Sequence, residues 1–204
     1  MAELTLTTFL TLDGVMQAPG GPGEDPSGGF THEGWLVPHV DEVFGMTMSE
    51  IFTQADAFLL GRTTYDIFAA YWPKVTDPND LVARTLNGLP KFVASRTRTT
   101  FDWSGTSHIP DVVRGVAELK QRFARDVQVH GSCGLAQTLI ANDLIDEYRL
   151  LTFPVLLGSG KRLFGSGTAP STLSLVRSIT TSKGVVISVY RRAGSLQTGS
   201  VALD

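Results

Sequence analysis

The chain has 204 residues, 42% of them hydrophobic and 18% charged, which excludes wholesale disorder and suits one soluble domain with a sizeable core. Lys and Arg number 17 against 20 Asp and Glu, a net charge of -3, so no broad positive field exists to hold a nucleic-acid backbone. The longest apolar runs, such as Leu150 to Leu157, fall far short of the roughly 18 to 20 residues of a membrane-crossing helix, and the single cysteine, Cys133, has no disulfide partner within the chain. A protein of the reducing cytoplasm, free of membrane and nucleic acid, is expected.

Glu3 to Phe9 alternates Thr with Leu and Phe, the period of a strand, and Thr11-Leu12-Asp13-Gly14 turns the chain. The Gly and Pro cluster from Pro19 to Gly29 is a loop, and Pro19 to Trp35 reads either as a lid over a substrate or as a flexible surface excursion. Pro38 opens a helix that places Val40, Val43, Phe44, Met48, Ile51 and Phe52 on one face and ends near Gln54. Ala57 to Leu60 is a short buried strand stopping at Gly61, after which Thr63 or Thr64 caps a helix carrying Tyr65, Phe68 and Tyr71 as far as Pro73. Lys91 to Ala94 is the next buried strand, with Ser95-Arg96-Thr97 in the turn behind it.

Pro110 and Asp111 start a helix whose Val112, Val113, Val116, Leu119 and Phe123 face inward, and Val127 to Val129 is a strand followed by the turn His130-Gly131-Ser132. Ser132 caps a helix running to about Ala141, and Glu147 to Phe153 is a further strand. Leu173 to Ser182 and Val185 to Arg191 form an antiparallel hairpin around Lys183-Gly184, where the glycine takes positive φ. Residues 1–192 are expected to form one domain and 193–204 a polar tail. Strands alternating with helices predict an α/β fold: a mainly parallel central sheet with helices on both faces and the hairpin as an antiparallel edge. In such sheets ligands sit beyond the carboxyl ends of the strands, which singles out the turns at Gly61, Ser95 and Gly131.

Several motifs fail on their spacing. Gly131-Ser-Cys-Gly134 lacks the Gly-x-Gly-x-x-Gly of a Rossmann turn. Gly158-Ser-Gly160-Lys161 has Val155 where a phosphate loop needs its first Gly and Arg162 where it needs Ser or Thr. The four scattered histidines and the lone cysteine supply no tetrahedral metal spacing, so no metal is expected. Cys133 reads as a packed thiol rather than a nucleophile, and Ser132, without a Gly-x-Ser-x-Gly elbow, as a helix cap. What remains is an anion site: Gly131 admits a ligand to the backbone, and the free N–H groups of Ser132 to Leu135 favour a phosphate or pyrophosphate. Arg62 and Arg96, each behind a strand end, stand where a guanidinium clamps a phosphate, although residue type alone fits solvated surface ion pairs more simply.

The blocks Leu59-Leu60-Gly61-Arg62-Thr63-Thr64-Tyr65, Phe92-Val93-Ala94-Ser95-Arg96-Thr97 and Val129-His130-Gly131-Ser132-Cys133-Gly134-Leu135 occur in this order, followed by Leu144-Ile145-Asp146-Glu147 and Pro154-Val155-Leu156-Leu157-Gly158-Ser159-Gly160. With the opening Leu12-Asp13-Gly14, they resemble the dihydrofolate-reductase-like superfamily. More narrowly, they are similar to the reductase domain of the riboflavin-biosynthesis deaminase/reductase, over roughly Leu4 to Arg192 and as a stand-alone member without the zinc-binding deaminase half. The resemblance implies the three-layer dihydrofolate-reductase-like fold and a cytoplasmic, homodimeric reductase using NADPH.

It also implies that Gly61, Arg62 and Thr63 with Ser95, Arg96 and Thr97 hold the adenosine phosphates, and that His130, Gly131, Ser132, Cys133, Gly134 and Leu135 hold the pyrophosphate. The expected substrate is a small pterin-like or ribityl-pyrimidine-like heterocycle or a conjugated carbonyl compound. The alternative is a nucleotide-binding protein without turnover on the same fold. Two carboxylates are the catalytic candidates. Asp13 ends the first strand and would face the substrate or nicotinamide, or else cap its own Asp-Gly turn. Asp41 follows Trp35-Leu36-Val37-Pro38, which resembles the segment where dihydrofolate reductases place a Trp and an acidic pterin anchor, one residue longer here; a first-turn helical role suits Asp41 better.

Overall fold

The computed structural model describes residues 1–201; residues 202–204, the end of the expected tail, lie outside the described residues. Eight strands, β1 (Leu4–Thr11), β2 (Ala55–Gly61), β3 (Lys91–Ala94), β4 (Thr106–Ile109), β5 (Asp126–His130), β6 (Glu147–Phe153), β7 (Ser171–Thr180) and β8 (Val186–Ser195), form one sheet in the order β4-β3-β2-β5-β1-β6-β8-β7. The first six are parallel, and β8 pairs antiparallel with both β6 and β7. The helices are α1 (Glu42–Thr53), α2 (Arg62–Tyr71), α3 (Leu81–Gly88), α4 (Val112–Arg122) and α5 (Cys133–Ala141).

Side-chain alternation along β1 and β2 splits the core into two layers. Leu4, Leu6, Ala57 and Leu59 pack with Val116, Leu119, Leu135 and Leu139 of α4 and α5. On the other face Phe58 and Leu60 join Phe52, Tyr65 and Leu86 from α1, α2 and α3, while Phe44 meets Leu151 and Phe153. The mainly parallel, three-layer architecture with a closing hairpin is therefore the one expected, and Gly184 makes its turn with φ +80°.

Several details differ from the sequence reading. Pro38 opens only a short 3-10 turn, Val37–His39; α1 begins four residues later, where the Asp41 carboxylate accepts the Phe44 N–H at 2.9 Å, and Val40 is left outside the helix and exposed. Helix α2 starts at Arg62 with Gly61 in its N-cap position, so neither Thr63 nor Thr64 caps it. Val113 is exposed and Phe123 sits just past the end of α4, leaving Val116 and Leu119 as its fully buried apolar side chains. Strand β8 continues to Ser195, into the stretch expected as tail. Helix α3 and strand β4 were not expected at all.

Lys91, the first residue of β3, is fully buried. Its ammonium donates to the carbonyls of Leu86 and Leu89 at 2.8 Å and Asn87 at 3.4 Å, and it lies 4.5 Å from the Trp103 ring centroid. The cation thus closes the carbonyl end of α3, and burial lowers its pKa to about 8. The long first connection is also tied down. Buried Gln17 donates to the carbonyls of Asp25 and Ser27 at 2.9 Å and accepts the Lys161 N–H at 3.0 Å, while the Trp35 indole donates to the Gln17 carbonyl at 2.8 Å.

Candidate active site

Strand β5 is shorter than the strands beside it. It pairs with β2 only as far as Gln128 and with β1 only as far as His130, so the ends of β1 and β2 part around it and leave a slot. Alternate residues of β1 turn their main-chain groups toward that slot. The Thr7 carbonyl accepts the Gly131 N–H at 3.0 Å, and the Thr11 N–H donates to the Val15 carbonyl at 2.9 Å. Phe9 falls between them, where β5 has already ended, and no main-chain group of the described residues meets its N–H or carbonyl on that side.

A cleft of about 1030 Å³ opens at this slot along the carboxyl ends of the strands. Gly61, Arg62, Thr63, Ser95, Arg96 and the run His130 to Leu135 all line it, so the structure brings the three turns together. The contact between two of them is direct: the Gly61 N–H donates to Ser132 Oγ at 3.0 Å. A Cβ at Gly61 would stand 3.4 Å from Ser132 Cβ and 3.5 Å from Leu135 Cβ, an ordinary packing distance, so the two turns lie in contact.

That bond corrects the capping role expected of Ser132. With φ 58° and ψ 56° the residue is left-handed, an uncommon state outside glycine, and its side chain makes no cap on α5. Helices α1, α3 and α4 are each capped by an aspartate, Asp41, Asp80 and Asp111. Helices α2 and α5, whose N-termini open on the cleft, have no side-chain cap. Their first N–H groups and helix dipoles are left to a ligand, and a Cβ at Gly131 would meet nothing within 4 Å.

Two guanidiniums flank these N-termini. Arg98 is committed to Asp66 at 2.7 Å and lies over the Tyr65 and Phe101 rings, whereas Arg96 has no ion pair among the described residues. Arg62 is half exposed and reaches Asp66 at 3.4 Å. Ser95 Oγ accepts the N–H groups of Thr97 and Arg98, at 3.3 and 2.9 Å, which shapes the turn that presents Arg96. Lys161 also reaches the cleft, paired with Asp25 at 2.5 Å. Its place there is not legible in the sequence, where Gly158-Ser-Gly160-Lys161 carries no signal of which strand ends it will face.

His130 stacks on Phe52 with centroids 4.6 Å apart and hydrogen-bonds Gln128 Oε1 at 3.0 Å. Burial, with the nearby Arg149 charge, lowers its pKa to about 3, so the ring is neutral. Burial likewise raises the Cys133 thiol, whose Sγ donates to the Arg162 carbonyl at 3.6 Å. No cluster of metal-ligating side chains occurs among the described residues.

Three candidates fall outside the cleft lining: Thr97, Asp13 and Asp41. Thr97 is exposed. Asp13 accepts from Thr11 Oγ1 at 2.5 Å and from the N–H groups of Leu157 and Gly158 at 3.2 and 2.8 Å, and these bonds, the Thr11 hydroxyl first, hold its pKa down to about 2. It fastens the turn after β1 to the connection behind β6. Asp41, beyond capping α1, accepts from Ser182 Oγ at 2.7 Å and Lys183 N–H at 3.2 Å. The geometry gives both carboxylates a tethering role.

Residues 2–187 match the family described as the RibD C-terminal domain. The chain is 30% identical over 194 residues to the uncharacterized protein YyaP of Bacillus subtilis (strain 168), covering 94% of this chain and 96% of that one. Among solved structures it superposes on a putative riboflavin biosynthesis protein from Shewanella sp. PV-4 with TM-score 0.67 and 20% identity, covering 94% and 99% of the two chains. Dihydrofolate reductase from Enterococcus faecalis, solved in complex with NADP(H), follows the same fold with TM-score 0.59 and 12% identity, covering 93% and 96%. A fold of the dihydrofolate reductase kind, with its uncapped helix N-termini gathered at one slot in the sheet, is what this sequence builds, and the chain belongs to the RibD C-terminal domain family.

Proposed function

We propose that the protein is a reductase that binds NADPH in this cleft and directs hydride to a small organic substrate. The observation that carries the reading is the convergence of two uncapped helix N-termini, at α2 and α5, with Arg62 and the unpaired Arg96 in one cleft. N–H groups and guanidiniums so arranged suit a ligand with several phosphates. The Gly131 to Leu135 turn suits the pyrophosphate, and Arg62 and Arg96 the adenosine phosphates including the 2′-phosphate that separates NADPH from NADH. The Phe9 N–H and carbonyl, facing the slot, suit a carboxamide, which both donates and accepts.

When bound, NADPH supplies the hydride from its nicotinamide ring. The chain's own part is positional: the slot holds the ring, the α1 wall packs the substrate, and the tethered loop from Met16 to Asp25 limits water. Calorimetric titration of the wild type and Arg96→Ala with NADPH and NADH tests the reading. The substitution is expected to weaken NADPH by about 1.5–3 kcal/mol, the loss of a charge-assisted hydrogen bond, and NADH much less. Equal losses remove Arg96 from the 2′-phosphate, and failure of the wild type to bind NADPH overturns the proposal.

A further inference from the structure

Away from the helix N-termini the cleft changes character. Val40 leads into α1, whose Phe44, Met48 and Phe52 line the cleft, and Ile67 and Phe68 of α2 continue the apolar wall. The ionisable side chains that border that wall are His130, stacked on Phe52 and neutral, and Arg62 at the phosphate end of α2. The carboxylates that would pair with an aminopyrimidine edge are engaged elsewhere, Asp13 on the Leu157 and Gly158 amides and Asp41 on Phe44, Ser182 and Lys183. On the loop, Glu24 takes the Gly20 and Gly21 N–H groups and Asp25 holds Lys161. The unpaired guanidinium, Arg96, lies on the phosphate side.

Gly45 borders the same wall at an exposed position of the helix. It lies inside α1, where glycine is unfavourable, and it lines the cleft, yet a Cβ there would meet nothing within 4 Å. Packing against the protein does not require the missing side chain; open space beside the wall is what it leaves.

We infer that this half of the cleft selects a neutral, largely apolar conjugated carbonyl compound, seated against Phe44, Gly45 and Met48, rather than a pterin or a phosphorylated sugar-bearing pyrimidine; the inference rests on the reductase reading above. A charged group brought against this wall loses its hydration without gaining a partner, whereas an apolar ring gains from leaving water. In the reaction the β-carbon of the C=C–C=O unit accepts hydride from NADPH, which departs as NADP+. The C=C pair shifts to the bond between the α-carbon and the carbonyl carbon as the C=O π pair moves onto oxygen; the enolate then takes a proton from water at the α-carbon, the C=O re-forms and hydroxide is left.

Calorimetric binding of coumarin, dihydrofolate and uridine 5′-phosphate, each with and without saturating NADP+, tests this. Coumarin is expected to bind saturably and at least tenfold more tightly than the other two. Gly45→Asp, which places a carboxylate in the open space, is expected to weaken coumarin at least tenfold while the melting temperature and NADP+ affinity hold. Dihydrofolate or uridine 5′-phosphate binding as tightly as coumarin, or no coumarin binding at all, overturns the substrate class even where NADP+ binds normally. Failure of NADP+ to bind overturns the reductase reading instead, and the order of the three probes on the free protein still decides the nature of the wall.

Discussion

Gly61 and Ser132 join two turns 71 positions apart because Ser132 turns its hydroxyl away from its own helix and onto the Gly61 N–H. His130, beside them, carries the main titration consequence at this scale. Its pKa falls from 6.5 to about 3 on folding, so the unfolded chain takes up a proton that the native ring refuses. Stability from this residue is therefore present above about pH 6.5 and is lost as the pH falls toward 3. Urea midpoints measured from pH 7.5 to 5 should decline for the wild type and stay flatter for His130→Gln; parallel profiles would show that the ring does not set the slope. The glycines, serines and arginines of the site were legible because they end strands, and strand ends of a parallel sheet point at the ligand. Asp13 and Asp41 were not, because a sequence places a carboxylate in a turn without saying which N–H groups it will satisfy.

Two glycines inside helices separate at the scale of the element. At Gly115 of α4 a Cβ would stand 2.7 Å from Ile109 Cγ2, whereas at Gly45 of α1 it meets nothing. Gly115→Ala should destabilise by about 1–3 kcal/mol through overpacking against β4, while Gly45→Ala should stabilise by about 0.5–1 kcal/mol. Thermal denaturation of the two variants checks the opposite signs. The long elements could be read because each buries a periodic apolar face. Strand β4 could not: Thr106-Ser107-His108-Ile109 has no apolar alternation and exists as an edge paired to β3, with His108 Nε2 2.7 Å from the Ser95 carbonyl. Helix α3 is a two-turn segment whose carbonyl end depends on Lys91, a lysine that sequence places at the mouth of a buried strand without revealing its partners.

Across the whole molecule, the long first connection and the stretch behind β6 lock together over one face of the cleft. Gln17 stands at their junction, held by Asp25, Ser27 and Lys161. Gln17→Ala removes the partner of these half-exposed groups, at a cost of about 0.5–1.5 kcal/mol for each hydrogen bond lost. Hydrogen exchange of residues 20–34 should quicken and NADPH affinity should fall, while exchange in β2 and β5 is unchanged; unaltered exchange in the loop would show that Gln17 does not hold it. The choice between lid and surface excursion was open in the sequence because glycine and proline content reports local freedom, not the distant partners that remove it.

The Arg191 guanidinium grips both carboxylate oxygens of Glu3, at 2.8 and 2.7 Å, so the last strand is clasped to the residue that precedes the first. The pair joins residues 188 positions apart, so the outer hairpin and the centre of the sheet share a fastening that neither strand pairing supplies.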